Sequence, residues 1–234
     1  MNKESFRERV WDELEESGEA RFPYPPHGRI PNFAGAGRAA DRLAETDAWH
    51  DAEVLKANPD SPQLPVRRAA LRAGKTIYMA VPRLCDAKPF FRLDPAEIDD
   101  YESATTIGGS AEVGVPVDPE EMAGIDLIVS GSVAVSETGA RIGKGEGYSD
   151  LEYAVCRELG LVDGETPVAT TVHERQVIDA DLAPDTHDVP LSLVVTPERT
   201  IRAGTALKYP TGIDWDALTD ERIAEIPVLE RLRS

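Results

Sequence analysis

Cysteine is scarce in this chain, with only Cys85 and Cys156 among 234 residues. The two form no CxxC pair or other metal spacing and read as reduced thiols in or near the core. Histidine is equally sparse. His27, His50, His173 and His187 follow no HExxH or similar ligand pattern, which argues against zinc chemistry. No apolar run approaches the roughly 20 residues needed to span a bilayer. The opening stretch MNKESFRERVWDELEE is charged and helix-periodic, unlike a signal peptide, so a cytoplasmic location is expected. Lysine is the rarest of the common charges, supplying six of 25 basic residues against 43 acidic ones, for a formal charge of -18. Such a chain repels nucleic-acid phosphates unless its arginines gather on one face. Arg29, Arg38, Arg42, Arg67, Arg68 and Arg72 would have to converge for RNA to bind. The acid excess runs along the whole chain and fits, as a hypothesis, a surface adapted to high intracellular salt. Full folding of the purified protein without added salt would count against it.

What is present is enough apolar material, 41% of residues, for a sizeable core. Residues 3–18 read as an amphipathic helix, with Phe6, Val10 and Leu14 at four-residue spacing. The following RFPYPPHGRIPNF is too rich in proline for helix and reads as a linker. Residues 37–46 read as a second helix. Then strands and helices alternate. Residues 53–57, 76–81, 125–129, 167–172 and 191–195 have strand character, while 64–73 and 150–159 are helical patterns stopped by Gly74 and Gly160. This order predicts an α/β fold, a mainly parallel twisted sheet with helices on both faces in a Rossmann-like three-layer arrangement. Residues 1–200 form the expected domain, and 201–234, without strand character, a carboxyl-terminal extension packed on it. Ligands of such folds sit beyond the carboxyl ends of the strands.

The segment ARIGKGEGYSD, residues 140–150, carries the chemistry. It follows a predicted strand and precedes a predicted helix, where an anion meets unpaired backbone N–H groups at a helix N-terminus. Gly143, Gly145 and Gly147 alternate, so the backbone can take positive φ and approach a ligand closely. Arg141 and Lys144 add positive charge to an acidic protein, and phosphate is the natural guest. The spacing matches neither the P-loop GxxxxGK[ST] nor the dinucleotide fingerprint GxGxxG.

The same segment resembles the RLGxGxGYYD signature of the 5-formyltetrahydrofolate cyclo-ligase family, also called methenyltetrahydrofolate synthetase. Other stretches follow in family order. KESFR at 3–7 resembles KxxLR, GKTIYMAVPR at 74–83 resembles GKxVxLPR, GVP at 114–116 sits where the family has GIPEP, and IDLIV at 125–129 resembles IDLVLVP. HDVPL at 187–191 resembles the segment before the last strand. The resemblance spans roughly residues 3–198. It implies closure of 5-formyltetrahydrofolate to 5,10-methenyltetrahydrofolate through a phosphorylated formamide, with ATP and Mg²⁺ as cofactors and a reduced folate as the small-molecule partner. It further implies that Lys3, Arg7, Arg141, Gly143, Lys144, Gly145, Glu146, Gly147 and Tyr148 bind the nucleotide. Lys144 and Tyr148 would serve the chemistry, and Asp150 would hold the metal.

Departures from the family pattern fall in its folate and metal half. Ser149 replaces a second tyrosine, Val117 a glutamate, and Ser192 an aspartate that helps hold the metal; SGSVAV at 130–135 replaces PGxAFD. Glu146 puts a negative charge beside bound phosphate, to be offset by Mg²⁺ or Arg141. Two further readings therefore stand beside the cyclo-ligase. One is a non-catalytic nucleotide- or RNA-binding regulatory module that keeps the phosphate loop; the other is an ATP-dependent ligase or kinase acting on a different small amide.

Overall fold

The computed structural model of the chain describes residues 2–180, 182, 184–204 and 207–233. Met1, Asp181, Ala183, Thr205, Ala206 and Ser234, which fall within the two expected units, lie outside the described residues. An eight-stranded sheet dominates. Its order across is Thr200–Arg202, Leu193–Val195, Val168–Thr171, Leu127–Val129, Val54–Ala57, Thr76–Ala80, Phe90–Leu93 and Val115–Val117. The five strands from Leu193–Val195 to Thr76–Ala80 are mutually parallel, and antiparallel strands complete both edges.

The parallel strands form because their residues are apolar on both sides, as a sheet covered on both faces requires. On Val54–Ala57, Leu55 and Ala57 join one buried cluster with Ile77, Met79, Leu127, Val129 and Val195, packed under the helices Ala36–Ala44 and Leu64–Arg72. Alternate residues Tyr78, Ala80, Ile128, Val168 and Val194 face the other way, against the helix Tyr148–Glu158. The two-residue period of a strand thus assigns each side chain to one helix layer. Each large aliphatic buried this way contributes about 1.5–3 kcal/mol. Among the described residues, no helix is long and apolar enough to cross a membrane.

The expected parallel strands are all present, mostly one or two residues shorter. The antiparallel edges are a finding. Phe90–Leu93 hydrogen-bonds beside Thr76–Ala80, and Thr200–Arg202 beside Leu193–Val195, so residues 200–202 do have strand character. Their sequence, TIR, is too short and too polar for periodicity to register. The proline-rich linker carries a two-stranded ribbon, Ala20–Arg21 paired with Asn32–Phe33. Past residue 206 the chain makes the helices Asp220–Ala224 and Pro227–Arg233. Ile213, Ile223, Ile226, Val228 and Leu229 from this segment belong to the same buried cluster as the helix Tyr148–Glu158. Cys156 is buried there, its thiol pushed up to about 12 by burial, whereas Cys85 is exposed rather than in the core.

Candidate active site

In sequence order the parallel strands run 54–57, 76–80, 127–129, 168–171 and 193–195, while in space the second and third lie on opposite sides of the first. The connections therefore depart in opposite directions from Val54–Ala57 and Leu127–Val129, which opens a crevice at their carboxyl ends, the usual ligand position in open α/β sheets. A cleft of about 930 Å³ lies there, with Asn58, Asp60, Gly131, Lys144, Tyr148 and Asp150 among its walls.

Its floor is a buried polar network. Lys56, on a strand otherwise apolar, faces the helix Tyr148–Glu158 and pairs with Glu152; both are almost wholly buried. Asn58 Nδ2 donates to the same Glu152 oxygen at 3.2 Å, and Asn58 Oδ1 accepts from Gly131 N at 3.2 Å and from Ser149 Oγ at 3.2 Å. The loop after the strand is pinned from below by Arg67. Its guanidinium, buried and lowered to about 10 by that burial, donates to the carbonyls of Asn58, Asp60 (3.0 Å), Pro59 (3.1 Å) and Thr105 (2.9 Å). Burial raises the Asp60 carboxyl above its ordinary range, with Lys144 pulling the other way. Gln63 Oε1 and Arg141 Nε are buried without a hydrogen-bond partner among the described residues.

The glycine segment forms the outer wall. A short strand, Arg141–Ile142, leads in, and Gly147, in the left-handed region at φ 71, caps the helix that begins at Tyr148. The helix therefore starts two residues earlier than its pattern suggests. Asp150 sits in the first turn rather than at the cap, where its charge complements the helix dipole. No side chain caps this N-terminus, so its first N–H groups remain available to an anion. The alternating glycines prove to have different jobs. A Cβ at Gly143 would come within 3.2 Å of the Arg141 guanidinium, and one at Gly145, at φ 106, within 3.3 Å of Arg7 Cζ; at Gly147 a Cβ would meet nothing within 4 Å. Two glycines thus make room for arginines, and the third leaves open space.

Most of the residues expected to bind here are brought together. Arg7 reaches across from the amino-terminal helix Lys3–Glu16, and its Nε donates to Gly143 O at 2.7 Å. Arg141 is buried, donates to Gly131 O at 3.0 Å and pairs with Asp150. Burial works to lower this guanidinium, and Asp150, with Asp188 and Glu152, more than offsets it, so the net shift is upward. Lys144 Nζ lies 2.7 Å from Glu146 Oε2. The negative charge of Glu146 is therefore balanced by its neighbour in the loop rather than by Arg141. Tyr148 lines the cleft while its hydroxyl accepts from Arg222 at 2.7 Å.

Lys3 is the exception. Its ammonium goes to Asp185 (2.8 Å) and Asp188, not to the loop. Burial opposes the charge, but the two carboxylates raise the lysine's pKa overall. His187 stands close enough to Asp185 and Asp188 for the three to share a cation, although the Lys3 ammonium already occupies both carboxylates. The expected metal residue, Asp150, is tied through Oδ1 to Arg141 and to Val189 N (3.0 Å). Ser192 lies at the amino end of the strands, where its Oγ bonds Val168 N at 3.0 Å, opposite the crevice and remote from any metal there. Val117 is packed in the apolar cluster.

Sequence reasoning missed Asn58, Asp60 and Glu152 on the cleft wall, Lys56 and Arg67 buried beneath it, and Arg222 beside the loop. Lys56 had a signal: a lysine inside a strand that must be covered on both faces needs a buried partner. Glu152, on the apolar side of a helix, was the complementary signal. The other four carried none.

With this geometry in view, the chain can be set beside known proteins. The sequence pattern of the 5-formyltetrahydrofolate cyclo-ligase family matches residues 2–197. The chain is 44% identical over 237 residues to the methenyltetrahydrofolate synthase domain-containing protein of Mus musculus, covering all of this chain and 63% of that protein. The Homo sapiens protein of that name is 38% identical over 238 residues, covering 100% and 62%. The Danio rerio one is 39% identical over 236 residues, covering 99% and 62%. The chain thus spans a little under two thirds of the length of these relatives. In fold it is similar to the 5,10-methenyltetrahydrofolate synthetase of Aquifex aeolicus, with a TM-score of 0.54 at 20% identity, covering 89% of this chain and 97% of that one. By its sequence pattern and these relatives, the chain belongs to the 5-formyltetrahydrofolate cyclo-ligase family.

Proposed function

We propose that this chain catalyses the ATP- and Mg²⁺-dependent cyclisation of 5-formyltetrahydrofolate to 5,10-methenyltetrahydrofolate. One observation carries the reading: Arg7, from the amino-terminal helix, joins Arg141 and Lys144 of the glycine segment beside a helix N-terminus at the strand crevice. In a protein of charge -18, three cations around bare amides are a specific provision for a polyanion.

The residues fit a nucleotide phosphate chain. Gly147 leaves open space beside the helix start, Arg141 Nε has no hydrogen-bond partner among the described residues, and Lys144 lines the cleft. Mg²⁺ prefers oxygen donors, and the cleft offers the carboxylates of Asp60, Glu146 and Asp150. ATP supplies the phosphoryl group that turns a formamide oxygen into a leaving group. The protein's part is to position and to neutralise charge. Lys144 and the loop amides hold phosphate oxygens. Arg7 and Arg141 act from beneath, through Gly143 and Asp150, to fix the loop's shape. Tyr148 borders the space where a planar pterin would lie. Asp60, on the cleft wall, would face the amine side of the substrate.

The reading is tested by adding ATP, Mg²⁺ and 5-formyltetrahydrofolate to the protein in high-salt buffer and following the near-ultraviolet absorbance of the methenyl product. ATP-dependent growth of that band is expected. No turnover together with no ATP binding by calorimetry would overturn it.

A further inference from the structure

Among the described residues, one side chain hydrogen-bonds the segment beyond the family pattern to the glycine loop. Arg222, on the helix Asp220–Ala224, lays its guanidinium over the Tyr148 ring with Cζ 4.1 Å from the centroid. From that position NH1 donates to the Tyr148 hydroxyl at 2.7 Å and NH2 donates to Glu146 O at 3.1 Å. A planar fork that stacks on a ring and donates in two directions is a geometry arginine supplies and lysine does not. The helix bearing it is held in place independently. Ile223 and Ile226 are buried in the main cluster, and Ile213 N donates to Glu158 Oε2 at 3.1 Å, on the far end of the loop's own helix. A second cleft of about 610 Å³ lies between the two, sharing Glu146, Gly147 and Asp150 with the first.

We infer that Arg222 is a positioning residue of the phosphate loop, supplied by the carboxyl-terminal segment. Arg7 and Arg141 hold the loop's entrance at Gly143 and its helix at Asp150; Arg222 holds the limb between them, Glu146 to Tyr148. It fixes the loop amides in the open, anion-accepting shape and keeps the Tyr148 ring against the crevice. The loop is thereby clamped from both ends of the chain. This inference rests on the nucleotide reading of the same cleft for its ligand, but not for the clamp itself.

Two measurements on Arg222→Ala, Arg222→Lys and Tyr148→Phe in the full chain separate these points. The first is hydrogen–deuterium exchange where the loop anchors its helix, at the hydrogen-bonded amides of residues 151–154 that begin with Leu151 N to Gly147 O, with no ligand added. Loss of protection is expected in Arg222→Ala, with Arg222→Lys only partly restoring it and Tyr148→Phe intermediate. The second is MgATP affinity by calorimetry, where Arg222→Ala is expected to weaken binding by about tenfold and Arg222→Lys by less. Unchanged exchange in Arg222→Ala, or full recovery of exchange and affinity in Arg222→Lys, overturns the clamp. If Arg222→Ala does not fold, the Lys and Phe variants decide the matter by the same criteria. A parent protein that binds no MgATP overturns the nucleotide reading alone, since the exchange comparison still judges the clamp.

Discussion

The crevice has a floor and an outer wall, and the two are held by opposite strategies. Charges in the floor are sealed from water: Lys56 with Glu152 and Arg67 beneath the loop carbonyls are almost wholly buried. Along the wall, the glycine loop is half open, and Lys144 and Glu146 remain substantially exposed. Arginines approaching from three directions grip it. Where charge is buried, each group depends on its partner for survival, and the network cannot bend without large cost. Where it is exposed, the grip is modest and the loop can exchange a protein contact for a ligand. A floor that fixes register and a wall left open to solvent is the division of labour that the comparison teaches.

Glu152→Gln should break this comparison most severely, because it strands the Lys56 charge in the interior. Chemical denaturation should show a loss of about 3–5 kcal/mol. Replacing both partners, as Lys56→Met with Glu152→Leu, should recover most of that loss, since no uncompensated charge remains. If the single variant were as stable as the parent, the floor would not be the rigid half.

On the wall, Lys144→Ala and Arg7→Ala should leave the denaturation midpoint close to the parent's and weaken ATP binding instead. For Lys144→Ala the loss of a charge-assisted hydrogen bond corresponds to about 1.5–3 kcal/mol, read by calorimetry; Arg7→Ala, which acts through the Gly143 carbonyl, should lose less. Variants that bind ATP like the parent would remove both residues from the site.

The smallest expected effect lies outside the cleft, at His173. His173 packs beside Phe33, and its ring accepts from Arg175 N at 3.3 Å, so the neutral form is built in. Burial lowers its pKa, with Glu19 opposing. A base whose folded pKa lies below its unfolded value stabilises fully above the unfolded value, near 6.5, and that stability is lost as pH falls toward the folded one. Thermal midpoints should therefore drop slightly as pH falls below about 6.5, and His173→Gln should flatten that part of the profile. An identical profile in the variant would exclude His173 as the source.

Much of this architecture could be read from the chain before any coordinates. The strands 76–80, 127–129 and 193–195 are continuous apolar runs, and the alternation with helices identifies a covered parallel sheet. The glycine loop is legible as a turn of bare amides before a helix, and the resemblance places it within its family. Arg7 was marked out only by that resemblance, and its actual contact, with a carbonyl rather than a ligand, was not foreseeable. Lys3, read through the same motif, turned instead to Asp185 and Asp188. On the amino-terminal helix, one turn's difference in position sends the two cations to different partners.

Sequence alone determined which central segments pleat, which coil, and that bare amides precede the helix after the glycines, because those properties are set by neighbours within a few residues. Tertiary structure alone decided who holds whom. Glu152 lies 96 positions from Lys56, Gly143 lies 136 from Arg7, and Arg222 lies 74 from Tyr148. Pairings at such separations are fixed by how layers stack and by the cost of leaving a buried charge alone, and no local pattern in the chain encodes either.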